Sequence, residues 1–155
     1  MFLNNKKGIT MVEILVVIAV LGIIFAVALP QFSKSREMQV LKSAVNDILS
    51  VLERAKGQTL ASMDSSEYGV RFESDQVIIF KGMVFVSGNE NNEIVDIISP
   101  ATVSNVTLNG VSGSSGSLYF NRLSGIPSKT GTITISTSSY SKIITISATG
   151  SANVN

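Results

Sequence analysis

The sequence predicts an α+β protein, with one long amino-terminal helix, apolar and then amphipathic, packed on antiparallel β-structure. Three observations carry this reading. Residues 9–29 form a run of 21 with a single charge, Glu13. Residues 40–55 repeat apolar side chains at three- and four-residue steps, the stripe of an amphipathic helix. From Tyr68 onward the period drops to two, and Gly, Asn and Ser clusters cut the chain into short segments. The divisions that follow are a short segment at 1–8, an apolar helix at 9–30, an amphipathic helix at 31–64 and a β-rich domain at 65–155.

Composition narrows the chemistry. The 155 residues carry 12 Lys and Arg against 11 Asp and Glu, a net charge of +1, with no His and no Cys. Without Cys there are no disulfides, thiolate metal sites or Cys nucleophiles. Without His the commonest general base and transition-metal ligand are missing. No catalytic group, metal site or cofactor is expected, and the protein reads as something other than an enzyme. The last acid is Asp96, and the 59 residues after it carry only Arg122, Lys129 and Lys142. Three cations over that length make too weak a field for a nucleic-acid platform.

The apolar run has the length of a membrane span. At 1.5 Å per residue, 21 helical residues cover roughly 31 Å, against about 30 Å of hydrocarbon. Lys6 and Lys7 lie just before it, which places them in the cytoplasm and the rest of the chain outside. A secretory signal would have a shorter apolar core and a small-residue cleavage pattern, and Leu29, Pro30, Gln31 and Phe32 offer none. A plain anchor explains the length and the lysines but not Glu13. An acid inside a membrane segment costs on the order of 2.5–3.5 kcal/mol, so Glu13 calls for a function and a partner.

Further along, Pro30 lacks an amide donor and Gly22 is a poor helix former, so a bend is expected at these points. The stripe of Val40, Leu41, Ala44, Val45, Ile48, Leu49, Leu52 and Ala55 gives the second half of the helix a face for a globular core. Helical signal fades over 57–64. Strands are expected at 68–73, 76–81, 83–86, 93–98, 102–108, 117–120, 131–136 and 142–148, the last two as a hairpin. Short connections favour antiparallel pairing. The acids and amides at 89–93 lack the alternation of a calcium loop and read as a solvated turn. The Gly-rich stretch at 110–116 lacks the Lys-Ser/Thr ending of a phosphate loop and reads as a hairpin loop.

Two stretches resemble known families. Lys7-Gly8-Ile9-Thr10-Met11-Val12-Glu13, followed by an unbroken apolar run to Pro30, resembles the leader and first helix of type IV prepilins and pseudopilins. The resemblance covers roughly residues 6–32, and Ile9 stands where that family most often has Phe. It implies a leader at 1–8 with basic Lys6 and Lys7, cleavage between Gly8 and Ile9 by a prepilin peptidase, and N-methylation at Ile9. Glu13 becomes the fifth residue of the mature chain, where a neighbour's ammonium can neutralise it during assembly. The missing side chain at Gly8 would let a protease approach the backbone closely.

Farther on, Phe120-Asn121-Arg122-Leu123-Ser124-Gly125 and Ile146-Ser147-Ala148-Thr149-Gly150, with a Thr/Ile strand pair between them, are similar to the end of the H-type minor pseudopilins, the GspH/FimT group. That resemblance implies a long helix packed on two antiparallel sheets. Some FimT-like members bind DNA through basic residues near the carboxy terminus, whereas the tail here, Ser-Ala-Asn-Val-Asn, has no cation.

The resulting expectation is a minor pseudopilin or pilin-like structural subunit of a type II secretion or type IV pilus machine. It would sit in the bacterial inner membrane as a single-pass protein, carboxy-terminal domain outside, and then enter a pilus or pseudopilus. Its partners would be the prepilin peptidase, other pilins or pseudopilins, and an inner-membrane assembly platform. A DNA-binding minor pilin for uptake and a major fibre subunit are the alternatives.

Overall fold

The computed structural model describes residues 8–155. Over the described residues the chain is α+β, with helix α1 at Met11–Leu60, a 3-10 turn at Met63–Ser65 and nine strands in two antiparallel sheets. It divides between Arg36 and Glu37 into two units.

In the first unit α1 is helical through Gly22 and on through Pro30. Proline carries no amide hydrogen, so the carbonyl of Ala26, four residues back, lacks its usual helical donor. A side chain added at Gly22 would meet nothing, so no packing requires glycine there. No residue in the most apolar stretch of the helix is buried within the chain.

In the second unit one face of α1 lies on both sheets. Strands β1 (Tyr68–Phe72), β2 (Gln76–Lys81), β3 (Glu93–Asp96) and β6 (Gly116–Phe120) form one sheet in the order β3-β2-β1-β6. Strands β4 (Thr102–Leu108), β5 (Val111–Gly113), β7 (Gly131–Ser136), β8 (Ser141–Ile146) and β9 (Ala152–Val154) form the other, in the order β5-β4-β7-β8-β9. The expected hairpin is β7 and β8, registered from Gly131 opposite Ile146 to Ser136 opposite Ser141. The core joins Leu41, Ala44, Val45, Ile48, Val51, Leu52 and Ala55 of α1 to Val70, Phe72, Val77 and Ile79 of one sheet and Val106, Ile133, Ile135 and Ile144 of the other.

Close approach fixes glycine at two positions. A Cβ on Gly131 would run into the carbonyl of Thr107 on the neighbouring β4, and one on Gly69 would run into the ring of Phe80 on β2. Thr59 is the buried polar residue of the core. Its hydroxyl donates to the carbonyl of Ala55 at 2.8 Å and accepts from the amide of Tyr68 at 3.0 Å, stitching the end of α1 to the start of β1. Both polar groups are thereby satisfied, as burial demands.

The structure departs from the sequence expectations in specific places. Residues 83–86 form no strand. Gly82 takes a left-handed turn (φ 104°), β2 is already flanked by β1 and β3, and Phe85 instead packs edge-on to Phe80 with ring centroids 5.6 Å apart. Strands β5 and β9 lie in segments read as loop and tail. The buried stripe includes Val51, while Val40 and Leu49 are only partly buried. At 100° per residue Leu49 falls on the flank of the face centred on Ile48.

The 120–125 and 146–150 segments meet around the end of α1. The Lys56 Nζ donates to the carbonyl of Thr149 at 2.9 Å, and Arg122 Nη1 donates to the carbonyl of Ser65 at 2.9 Å. A side chain on Gly125 would press on Lys56 and Leu60, and one on Gly150 would meet Lys56 and the carbonyl of Gly125.

Candidate processing and assembly site

The site is the entry to α1. Gly8, Ile9 and Thr10 precede the helix without regular structure, and all three are exposed, as is Glu13. An added Cβ at Gly8 would have open space around it. The fold of this chain therefore gives Gly8 no packing reason to be glycine, and a requirement there has to come from something that approaches the backbone from outside. The peptide bond between Gly8 and Ile9 lies in exposed chain without regular structure, Gly8 standing three residues before the first helical residue, Met11. Lys6 and Lys7 lie outside the described residues.

Thr10 caps α1. Its Oγ1 accepts from the amide of Glu13 at 3.2 Å, and its own amide donates to Glu13 Oε2 at 3.5 Å, the outer limit of a hydrogen bond. This reciprocal pair is a capping box, which satisfies two backbone donors left without helical partners. It also sets the carboxylate of Glu13 in the first turn, where the positive end of the helix dipole favours an anion. Thr10 joins Gly8, Ile9 and Glu13 as a site residue through a signal present in the sequence, a threonine with a glutamate three residues later just ahead of an apolar run.

Cutting between Gly8 and Ile9 would leave this pair intact, because the amide of Thr10 belongs to the Ile9–Thr10 bond. The same cut would create an α-amino group at Ile9, one residue from the amide that Glu13 already touches. The geometry can thus hold an anion close to a new amino terminus. Beyond this turn, the apolar side chains from Ile14 to Val27 are exposed along the helix. Among the described residues, no group of three or more Asp or Glu is placed to hold a metal ion.

Residues 3–29 match the family model of the prokaryotic N-terminal methylation motif. No curated protein and no solved structure matches the chain. The motif and the apolar helix fit membrane anchoring followed by entry into a pilus. The match at residues 3–29 supports a type IV pilin-like protein, processed by prepilin peptidase and assembled with other pilins.

Proposed function

We propose that this chain is a minor pseudopilin or pilin-like structural subunit, of the H type, in a type II secretion or type IV pilus machine, and that it has no enzymatic role. The methylation motif leading directly into an exposed apolar helix is the observation that carries the reading. The H-type assignment is supported by the meeting of the 120–125 and 146–150 segments around Lys56. The subunit waits in the inner membrane with its β-rich unit outside the cytoplasm and Lys6 and Lys7 inside. The peptidase cuts after Gly8, Ile9 is N-methylated, and the assembly platform moves the subunit into a filament whose core is the 9–29 helix.

Glu13 is the assembly residue in this reading. In hydrocarbon its carboxylate needs a cation, and the ammonium of a neighbouring mature subunit supplies one. Losing one member of a buried ion pair costs about 3–5 kcal/mol, and each 1.4 kcal/mol is about tenfold in occupancy. Glu13→Gln is expected to be inserted and cleaved, to accumulate in the membrane and to be at least a hundredfold depleted from filaments. Cross-linking to partner pilins in sheared and membrane fractions measures this. Incorporation at the wild-type level would remove Glu13 from the assembly step.

A further inference from the structure

Charge is divided unevenly between two surfaces of the second unit. One is the free edge of the first sheet, where β3 is the terminal strand. Glu90, Glu93 and Asp96 line this edge in sequence, with no Lys or Arg from Gly82 to Asn121. Ile94 and Ile98 beside them are 56% and 64% exposed. Glu93 is tied to α1 by Arg54, with Nη1 and Oε1 2.6 Å apart. Among the described residues Glu90 and Asp96 make no ion pair.

The other surface is a groove of about 270 Å³ between α1 and β8, lined by Lys42, Val45, Asn46, Lys142 and Val154. It continues past Met38, Leu41 and Tyr140, sharing both lysines. Its floor is apolar, its two cations are exposed, and among the described residues neither has a carboxylate within ion-pair distance. The second sheet, which forms one wall, holds no acidic residue.

These surfaces match in kind, since each sets apolar side chains beside charges left outside any ion pair among the described residues, Glu90 and Asp96 at the edge and Lys42 and Lys142 at the groove. They cannot meet within one molecule. Val45 lines the groove and Arg54 anchors β3, and nine residues at 100° each place them half a turn apart around α1. We propose that the β3 edge of one copy docks into the Lys42–Lys142 groove of a second copy of this chain. Such a contact is heterologous, joining different surfaces on the two partners, and leaves a free groove on one copy and a free edge on the other. Complementary charge sets its register and direction, and the isoleucines fill the apolar floor. The contact lies outside the 9–29 helix and does not depend on leader cleavage.

The chain has no Cys, so introduced thiols report without background. Full-length Ile94→Cys and Asn46→Cys chains, distinguishable by tag, are co-expressed in membranes and treated with a short bis-maleimide. The expected product is the mixed dimer, with little Ile94→Cys homodimer. Lys142→Glu in the Asn46→Cys chain lowers its yield about tenfold, equivalent to ~1.4 kcal/mol. Adding Asp96→Lys to the Ile94→Cys chain restores it. The proposal is overturned by a predominant Ile94→Cys homodimer, by adducts only to another protein, by no adduct from two accumulating chains, or by a mixed dimer indifferent to the charge changes.

Discussion

Thr10 and Glu13 hold each other across the first turn of α1, each accepting on its side chain the other's backbone amide. This links the residue that starts the helix to the acid that the membrane segment would otherwise exclude. A glutamate free to swing would have to be placed at each encounter, whereas a capped one is already held in the first turn, close to Ile9.

Removing the cap therefore frays the helix start without removing the acid. Thr10→Ala is expected to cost ~1 kcal/mol locally, the usual value of an N-cap. Amide hydrogen exchange of the full chain in detergent should show faster exchange at Val12 and Glu13, with residues beyond Leu21 unchanged. Thr10→Ser should restore protection.

Packing on the second half of α1 predicts a contrast between adjacent residues. Ile48, on the face of α1 that meets the sheets, is fully buried, and Leu49 only partly so. Ile48→Ala is expected to cost about 2–5 kcal/mol, and Leu49→Ala ~1 kcal/mol. Urea unfolding of the full chain in mild detergent gives both values. Equal costs would show that the helix sits on the sheets with a different face.

The turn after α1 predicts a dependence on acid. Asp64 accepts from Lys81 Nζ at 3.0 Å and from the Tyr68 hydroxyl at 3.2 Å. The hydrogen bond and charge of Lys81, then the hydroxyl of Tyr68, hold its carboxyl below the ordinary value of 3.8. The unfolded chain binds this proton more readily, so the contribution is present above the ordinary value and is lost as pH falls through the lowered one. Because Asp64 is exposed the effect is modest. Asp64→Asn should flatten the acid limb of a plot of stability against pH, and leave the slope at neutral pH unchanged.

Much of this architecture was legible because side-chain pattern and burial agree. The alternation of Val77 and Ile79 in β2, and of Ile133 and Ile135 in β7, reports directly on the face that meets α1. The failures have physical causes. Residues 83–86 are a short run of apolar, strand-favouring side chains, yet β2 has no free edge for them, and Phe85 finds its apolar partner in Phe80 instead. β5 and β9 are held by backbone pairing to β4 and β8 and expose most of their side chains, so burial leaves little pattern in them to read. At the site, Gly8, Ile9 and Glu13 stand out as a motif, while Thr10 is marked only by its three-residue spacing to Glu13, and the two hydrogen bonds give that spacing its role. The gathering of the 120–125 and 146–150 segments around Lys56 joins residues up to 94 positions apart, which no local pattern encodes.

The central claim is that the chain is cut between Gly8 and Ile9 before it acts, and the mass of the amino-terminal peptide from membrane-extracted protein tests it most directly. The predicted result is a chain beginning at Ile9 with one added methyl group. In Gly8→Val the leader should remain attached, because a β-branched side chain obstructs approach to the bond while the open space around Gly8 leaves the fold undisturbed. A wild-type chain that still begins at Met1, or a Gly8→Val chain cut as efficiently as the wild type, would contradict the account.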